Sequence, residues 1–175
     1  MMRIIAGTKR GKRLATLDGE DTRPTLERLK QALFSAIQFE LADRTVLDLF
    51  GGSGQLGLEA LSRGAAFCHF NDMNPAAVKI IQKNLKECGF EKDAKVTCAD
   101  YNMCVKMIER DPKKPDLVFL DPPYASHYYR PALQALLEYR LLNNRQQARV
   151  LLENGELDKA CKRSFPNVKN SFFRL

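Results

Sequence analysis

The sequence predicts a doubly wound α/β fold, in which parallel strands alternate with helices, and three observations lead to this prediction. Apolar runs of strand length alternate with segments of helical periodicity from "TVLDLF" to "ARVLLEN". A glycine-rich turn follows the first of these runs and opens a helix. Acidic residues close several of the runs. Regular alternation of this kind indicates parallel strands joined by right-handed crossovers.

Length and composition set the domain organisation. The chain has 175 residues, of which 45% are hydrophobic and 28% charged, as expected for one globular domain with its own core. We expect a single domain over 1–175, with an N-terminal hairpin and helix in 1–40 and the α/β core in 41–175. The sequence contains neither a run of about 20 apolar residues, as a membrane helix needs, nor a secretory signal. The protein is therefore predicted to be cytoplasmic, and it is expected to be a monomer.

Cysteine usage and charge limit the chemistry. The five cysteines are scattered and lack the close pairing of metal sites or disulfide frameworks. They are predicted to be reduced and mostly buried, and no metal site is predicted. The formal charge of +7 favours a polyanionic partner, although charge alone indicates this only mildly.

The segment "RIIAGTKRGKRL" concentrates that charge at the N-terminus. Its basic residues are Arg3, Lys9, Arg10, Lys12 and Arg13. A solvated, frayed terminus is one interpretation. The glycines at 7 and 11 also suit a short hairpin that holds the basic side chains outward, where they could contact phosphates. Both interpretations remain open at this point.

Two helices are predicted with defined ends. "TRPTLERLKQALFSAI" has Leu26, Leu29, Leu33 and Ile37 at helical spacing, with Thr22 or Thr25 and Pro24 near its start. Residues 75–88 form the best-defined helix, with Asn74 as the N-cap, Pro75 in the first turn and Gly89 after the end.

The turn in "VLDLFGGSGQLGLEA" is the first candidate binding site. Gly52, Gly54 and Gly57 satisfy the dinucleotide fingerprint, so a nicotinamide cofactor must be weighed against S-adenosylmethionine. Asp72, at the end of the second strand, could hold ribose hydroxyls of either cofactor. Asp48 favours S-adenosylmethionine, because its carboxylate suits an ammonium group and would repel a pyrophosphate.

Asp100 closes the third strand in "CAD". It could accept a hydrogen bond from an adenine amino group, or it could be an ordinary surface acid. Asp100 is a candidate site residue mainly because it is the third acid at a strand end, after Asp48 and Asp72. All three would face one crevice at the carboxyl edge of the sheet.

"DLVFLDPPYASHYY" places the tetrapeptide Asp121–Tyr124 at the end of the fourth strand, in the same crevice. Its prolines leave stiff carbonyl acceptors, and Asp121 with the Pro122 carbonyl could hold an exocyclic amine for attack on a methyl sulfonium. Tyr124 offers a stacking face for the base. A rigid proline turn is the simpler alternative, but amine methylation explains the whole tetrapeptide better. His127 is left out of the site, and Tyr128 and Tyr129 either extend the stacking surface or are ordinary half-buried aromatics.

These motifs together resemble the bacterial 16S ribosomal RNA guanine-N2 methyltransferases. The resemblance runs from Arg3 to about Glu153 and is carried by "RIIAGTKRGKRL", "TRPTLERLKQALF", "LDLFGGSGQLGLEALSRGA" and "LDPPY". It implies a Rossmann-like class I methyltransferase that moves a methyl group from S-adenosylmethionine to the N2 amine of one guanine.

The resemblance also implies roles for individual residues. The predicted catalytic residues are Asp121, Pro122 and Tyr124, with Pro123 against the RNA. The predicted cofactor-binding residues are Arg23, Thr25, Asp48, Phe50, Gly51, Gly52, Ser53, Gly54, Asp72, Asn74, Asp100 and Tyr101. The basic hairpin would hold 16S ribosomal RNA, in an assembling small subunit. Three departures stand out: Gly51 replaces a usual alanine, Asp72 and Asn74 replace commoner acids, and the chain ends at "NSFFRL" before an expected antiparallel closing strand.

Other functions remain to be weighed. DNA adenine-N6 methyltransferases share the Asp-Pro-Pro-Tyr motif, but usually need a target-recognition region for which the chain has little room. A non-catalytic RNA-binding or ribosome-assembly protein would predict damage to Asp121 or to the glycine turn, and neither is seen. A nicotinamide dehydrogenase would need a second, substrate-binding domain.

Overall fold

The computed structural model describes residues 2–17, 24–122, 128–139, 141, 149–153 and 170–173. Five α-helices and six strands lie in this part of the chain. In chain order they are α1 (Pro24–Ala36), β1 (Thr45–Asp48), α2 (Gln55–Ser62), β2 (Phe67–Asp72), α3 (Pro75–Cys88), β3 (Ala94–Cys98), α4 (Tyr101–Glu109), β4 (Leu117–Leu120), α5 (Tyr129–Glu138), β5 (Arg149–Glu153) and β6 (Asn170–Phe173).

The strands form one six-stranded sheet in the order β3-β2-β1-β4-β5-β6, and every pair is parallel. The doubly wound α/β prediction is therefore confirmed. The order reverses between β1 and β4, where open α/β sheets form a ligand crevice at their carboxyl edge. The last described strand, β6, pairs with β5 in parallel. The antiparallel closing strand expected from the resemblance is not among the described residues.

Two cores cover the two faces of the sheet. On one face, Val46 and Phe119 pack with the N-terminal segment, α1, α2 and α3. On the other face, Leu47 and Val118 pack with α4 and α5. Neighbouring residues of a strand point to opposite faces, so the apolar runs of β1 and β4 supply both cores.

Helix α3 matches its sequence signals closely. Asn74 has an extended backbone and its Oδ1 accepts a hydrogen bond from Ala76 N–H at 2.9 Å. Pro75 opens the helix, and Gly89 ends it in the left-handed conformation. The predicted bounds of 75–88 are confirmed.

The N-terminal segment forms a hairpin, which decides between the two interpretations of its basic run. Arg3 and Arg13 form an antiparallel bridge, and Ile4 N–H donates to Lys12 O at 2.9 Å. Gly7 and Gly11 both have positive φ, +83° and +82°. The hairpin prediction is confirmed, and the frayed-terminus interpretation is wrong for residues 2–17.

The remaining global predictions concern cysteines and membrane helices. Of the four described cysteines, Cys68, Cys88 and Cys104 are buried, Cys98 is exposed, and all are free thiols, as predicted. Cys161 lies outside the described residues. In the described ranges, no helix combines the length and the apolar character that crossing a membrane requires.

Candidate active site

The glycine-rich turn between β1 and α2 is fixed to the end of β2 by its own backbone. Gly51 N–H donates to Asn71 O at 2.7 Å, and Gly52 N–H donates to Asp72 Oδ2 at 2.8 Å. Gly57 allows α2 to pack tightly on the sheet, because a Cβ at this position would overlap the Phe70 ring. The turn is thus rigid and lies at the β1–β4 crevice where a ligand is expected.

Asp48 is 1% exposed and lies against the first turn of α2. Its Oδ2 accepts a hydrogen bond from Gly57 N–H at 3.0 Å. The N-cap residue, Gly54, has no side chain to do this, so the carboxylate of Asp48 replaces a capping side chain. A negative charge therefore already lies at the helix N-terminus where a dinucleotide would need to place its pyrophosphate. This geometry disfavours a nicotinamide cofactor, while contact of Asp48 with an ammonium group stays a prediction.

Asp72 joins the glycine turn to the start of α3 through its two carboxylate oxygens. Oδ2 accepts from Gly52 N–H, and Oδ1 accepts from Asn74 N–H at 2.8 Å. A carboxylate has about four acceptor positions, so these bonds leave capacity for ribose hydroxyls. Asp72 is half-buried at the end of β2, where the sequence placed it.

Asp100 follows β3 and caps α4. Its Oδ1 accepts hydrogen bonds from Asn102 N–H at 2.9 Å and from Met103 N–H at 3.1 Å. The residue is exposed. Asp100 was predicted to end the third strand, but β3 ends two residues earlier at Cys98. Its contact with an adenine amino group stays a prediction.

Three aromatic rings from the segments that follow β1, β3 and β4 in the chain lie close together. The ring centroids of Phe50, Tyr101 and Tyr128 lie 6.0 to 6.1 Å from one another. All three residues are half-buried. Phe50 and Tyr101 were predicted to bind the cofactor, whereas the sequence left the role of Tyr128 open. We call these rings the aromatic cluster; such a cluster can supply stacking surface for a nucleobase.

Asp121 and Pro122 follow β4 directly, beside the start of the glycine turn. The neighbouring strands are joined at this level by a hydrogen bond from Leu49 N–H to Phe119 O at 3.2 Å. Asp121 is half-buried and Pro122 is buried. The predicted residues Arg23, Pro123 and Tyr124 lie outside the described residues, and Thr25 lies in the first turn of α1.

Asn71 is a site residue that the sequence analysis missed. Its buried side-chain Nδ2 donates to Leu49 O at 3.1 Å and to Ala99 O at 3.0 Å, which links the segments after β1 and β3 to β2. Among the described residues, its Oδ1 has no hydrogen-bond partner. A polar residue inside the apolar run "FCHFND" was the available signal.

Two of the buried thiols, Cys68 and Cys104, are poorly suited to nucleophilic catalysis. Burial is the main cause that raises the pKa of Cys104 to about 12, and burial also raises the pKa of Cys68 well above its usual value. A thiol must ionise to act as a nucleophile, so both stay neutral near pH 7. In the described ranges, no three histidine, cysteine or acidic residues are grouped as metal ligands would be.

The basic hairpin is held in place by a buried acid of α2. Glu59, 0% exposed, accepts hydrogen bonds from Ile5 N–H at 2.8 Å and from Ala6 N–H at 3.0 Å. It also binds Arg63 Nε at 2.7 Å and lies 3.6 Å from Lys30 Nζ. Burial, opposed by Glu59, lowers the pKa of Lys30. The sequence analysis did not identify Glu59, because a single acid in a helix carries no signal of its burial.

The predicted RNA-binding side chains therefore project from a fixed segment. Arg3, Arg10, Lys12 and Arg13 are exposed, and Lys9 is half-buried with its Nζ 5.7 Å from the centroid of the Phe90 ring. Arg3 is also paired with Glu27 at 2.6 Å.

The sequence of this chain is similar to those of known proteins. The profile of the family described as "Conserved hypothetical protein 95" matches residues 2–169. "Putative rRNA methyltransferase YlbH" of Bacillus subtilis is 36% identical over 81% of this chain and 77% of its own length. "Ribosomal RNA small subunit methyltransferase D" of Haemophilus influenzae is 35% identical over 78% of this chain and 71% of its own length.

Solved structures show the same fold. The "Putative methyltransferase yhhF" of Escherichia coli has a TM-score of 0.66 and 31% identity, over 77% of this chain and 71% of that one. The Thermus thermophilus hypothetical protein TTHA0928 has a TM-score of 0.66 and 28% identity, over 81% and 80% of the two chains. The resemblance to small-subunit ribosomal RNA methyltransferases is confirmed. S-adenosylmethionine is the expected cofactor, and the glycine turn, Asp72, Asp100 and the aromatic cluster fit it. The chain belongs to the conserved hypothetical protein 95 family of Rossmann-like methyltransferases.

Proposed function

We propose that this protein transfers a methyl group from S-adenosylmethionine to the exocyclic N2 amine of a guanine in 16S ribosomal RNA. The observation that supports this most is the position of Asp121 and Pro122. They follow β4, the direct neighbour of β1, and therefore lie beside the turn that would hold the cofactor. An amine held by the Asp121 carboxylate and the Pro122 carbonyl would lie next to the methyl donor.

The chemistry requires positioning more than a strong base. The guanine N2 lone pair is delocalised into the ring, and hydrogen bonds from its N–H groups to Asp121 and Pro122 localise it on nitrogen. When bound, S-adenosylmethionine supplies an electrophilic methyl group on a sulfonium. The nitrogen pair forms the new N–C bond, the C–S electron pair stays with sulfur, and the amine loses its proton to solvent.

The RNA substrate is supported by the basic hairpin and by the relatives. Five basic residues project from a hairpin that Glu59 holds against α2. Relatives from Haemophilus influenzae and Escherichia coli are named small-subunit ribosomal RNA methyltransferases. We place the reaction in the cytoplasm, on an assembling small subunit, with the protein acting as a monomer. A small single-domain enzyme must take much of its specificity from the shape of its target.

A labelled methyl-transfer assay tests the proposal. The substrates are naked 16S RNA, small subunits from cells that lack the protein, and DNA, followed by nucleoside analysis. We expect N2-methylguanosine in small-subunit RNA. Asp121→Ala, which removes the side-chain acceptor, should lower kcat by a factor of roughly 100 or more, as removal of one positioned hydrogen-bond group does in other enzymes.

Cofactor binding provides the matched control. Asp121→Ala should bind S-adenosylmethionine with the Kd of the wild-type protein, because Asp121 is assigned to the amine. N6-methyladenine in DNA would show the adenine-N6 alternative instead. Cofactor binding without transfer to any substrate would favour a non-catalytic role in RNA binding or ribosome assembly.

A further inference from the structure

The basic hairpin does not stand alone, because Ala15 just after it contacts helix α3 and its Lys9 contacts Phe90 beyond the end of that helix. Asn84, 0% exposed, accepts a hydrogen bond from Ala15 N–H at 2.8 Å and donates to Ala15 O at 2.9 Å. Lys9 reaches the Phe90 ring just beyond the helix. These contacts place the hairpin and α3 side by side on one face of the sheet.

Helix α3 presents a stripe of lysines on its outer side. Lys79, Lys83 and Lys86 are exposed and follow one another at intervals of four and three residues. Residues at this spacing share one side of a helix, and the stripe extends over about 10 Å at 1.5 Å per residue. The buried residues Ala77, Ile81, Leu85 and Cys88 occupy the opposite side. We call Lys79, Lys83 and Lys86 the lysine stripe.

These cations are not neutralised by neighbouring acids. Within the described part of the chain, no carboxylate lies within 4.0 Å of the ammonium group of a stripe lysine. Other lysines are paired: Lys30 with Glu59, and Lys95 with Asp111 at 2.7 Å. The acid Glu87 follows Lys83 by four residues and so borders the stripe, but in the described part of the chain no ion pair joins it to a stripe lysine.

The stripe also connects two parts of the proposed function. Helix α3 begins at Pro75, beside Asp72 in the candidate active site, and ends next to the hairpin at Phe90. Lys79 is one turn from the crevice end and Lys86 is in the last turn.

We propose that the lysine stripe of α3 binds the phosphate backbone of the substrate RNA in addition to the basic hairpin, as a second set of phosphate contacts that leads towards the active-site crevice. This inference rests on the proposed function. RNA is favoured because unpaired lysines at helical spacing suit a regular array of phosphates, without a base-reading element.

The test is a titration of 16S RNA with the Lys79→Gln, Lys83→Gln double variant over a range of salt concentrations. The matched control is the double variant Lys106→Gln, Arg110→Gln. It also removes two exposed cations that are four residues apart, but these belong to α4 and its C-cap, on the other face of the sheet. The stripe variant should bind RNA about 10-fold more weakly, and the slope of log K against log salt should fall by about 2. The control should bind like the wild-type protein.

Binding is measured without catalysis, so this test and the methyl-transfer assay can fail separately. Unchanged RNA affinity of the stripe variant would overturn this second set of contacts and leave the proposed function standing. Equal weakening by both variants would mean that only net charge matters, and would also overturn it. The Kd for S-adenosylmethionine should be unchanged in both variants, which checks that each is folded.

Discussion

The two faces of the sheet are built in different ways. On the face of α4 and α5, the core is made of apolar side chains packed together, such as Leu47, Val118 and Leu133. On the face of α1 to α3, an apolar core is combined with buried polar side chains, among them Glu59, Lys30 and Asn84. Each of these polar side chains contacts the N-terminal segment or a group that holds it.

The difference shows how a short terminal segment acquires a fixed position. Residues 2–15 place only Met2, Ile4 and Leu14 in the core, which is too few for a defined register. Hydrogen bonds to Glu59, Ser62 and Asn84 fix the position of the segment instead. Buried ion pairs add little net stability compared with apolar packing, but losing one partner is costly. We therefore expect the hairpin face to depend on single residues more than the other face does.

The largest effect is expected for Glu59→Ala. Removal of this carboxylate leaves Lys30 buried without its ion-pair partner and the Ile5 and Ala6 N–H groups without an acceptor, so the free energy of unfolding should fall by about 3–5 kcal/mol. Chemical denaturation measures this fall. Leu133→Ala on the opposite face should cost about 2–5 kcal/mol by leaving a cavity.

Hydrogen exchange separates those two variants. Glu59→Ala should remove protection from the amides of Ile5 and Ala6 beyond what its overall stability loss explains. Leu133→Ala should not. Equal exchange at these amides after correction for stability would contradict the assigned role of Glu59.

The next effect is expected at the glycines of the hairpin. Gly7 and Gly11 have nearly the same positive φ, so alanine at either position should cost about 1–2 kcal/mol of backbone strain. Only at Gly7 would the new Cβ overlap the backbone of Ser62, whereas nothing lies within 4 Å of a Cβ at Gly11. Gly7→Ala should therefore also displace the hairpin and weaken RNA binding, while Gly11→Ala should not. RNA titration of both variants checks this, and similar affinities would count against hairpin docking on α2.

An effect of similar size is expected for Asn84→Ala, at about 2 kcal/mol for its lost hydrogen bonds. Asn84 Nδ2 donates to Ser53 O in the glycine turn as well as to Ala15 O. We therefore expect weaker binding of S-adenosylmethionine together with weaker binding of RNA, measured by separate titrations. Loss of only one of the two affinities would show that Asn84 does not link the turn to the hairpin.

The smallest effect concerns His69, whose side chain is buried in β2. Burial is the main cause that lowers its pKa from 6.5, against an opposing contribution from the Lys113 carbonyl at 2.8 Å. The unfolded chain therefore binds a proton at a higher pH than the folded chain. The free energy of unfolding should decrease as the pH falls through 6.5 towards the lowered pKa. In His69→Gln this part of the pH dependence should disappear, and identical pH profiles for the two proteins would contradict the assignment.

The local features of this protein were predictable from the sequence because each depends on neighbouring residues. Asn74, Pro75 and Gly89 define the ends of α3 through backbone preferences that act within one turn. The apolar runs that end in Asp48, Asp72 and Asp121 predicted strands that meet at one edge, since parallel strands share their carboxyl ends. The hairpin was foreseen from its two glycines, although a frayed end was equally compatible with the charges.

Tertiary structure alone decided which polar groups are buried and what they contact. Glu59 is 54 residues from Ile5 in sequence, Asn84 is 69 residues from Ala15, and Asn71 spans 28 residues to Ala99. Such contacts leave no local pattern in the sequence, because the two residues come close to each other only when the helices pack on the sheet. Asp48 illustrates both levels. The sequence determined that an acid stands before the glycine turn, but only the packing of α2 on β1 decided that its carboxylate is buried and caps the helix.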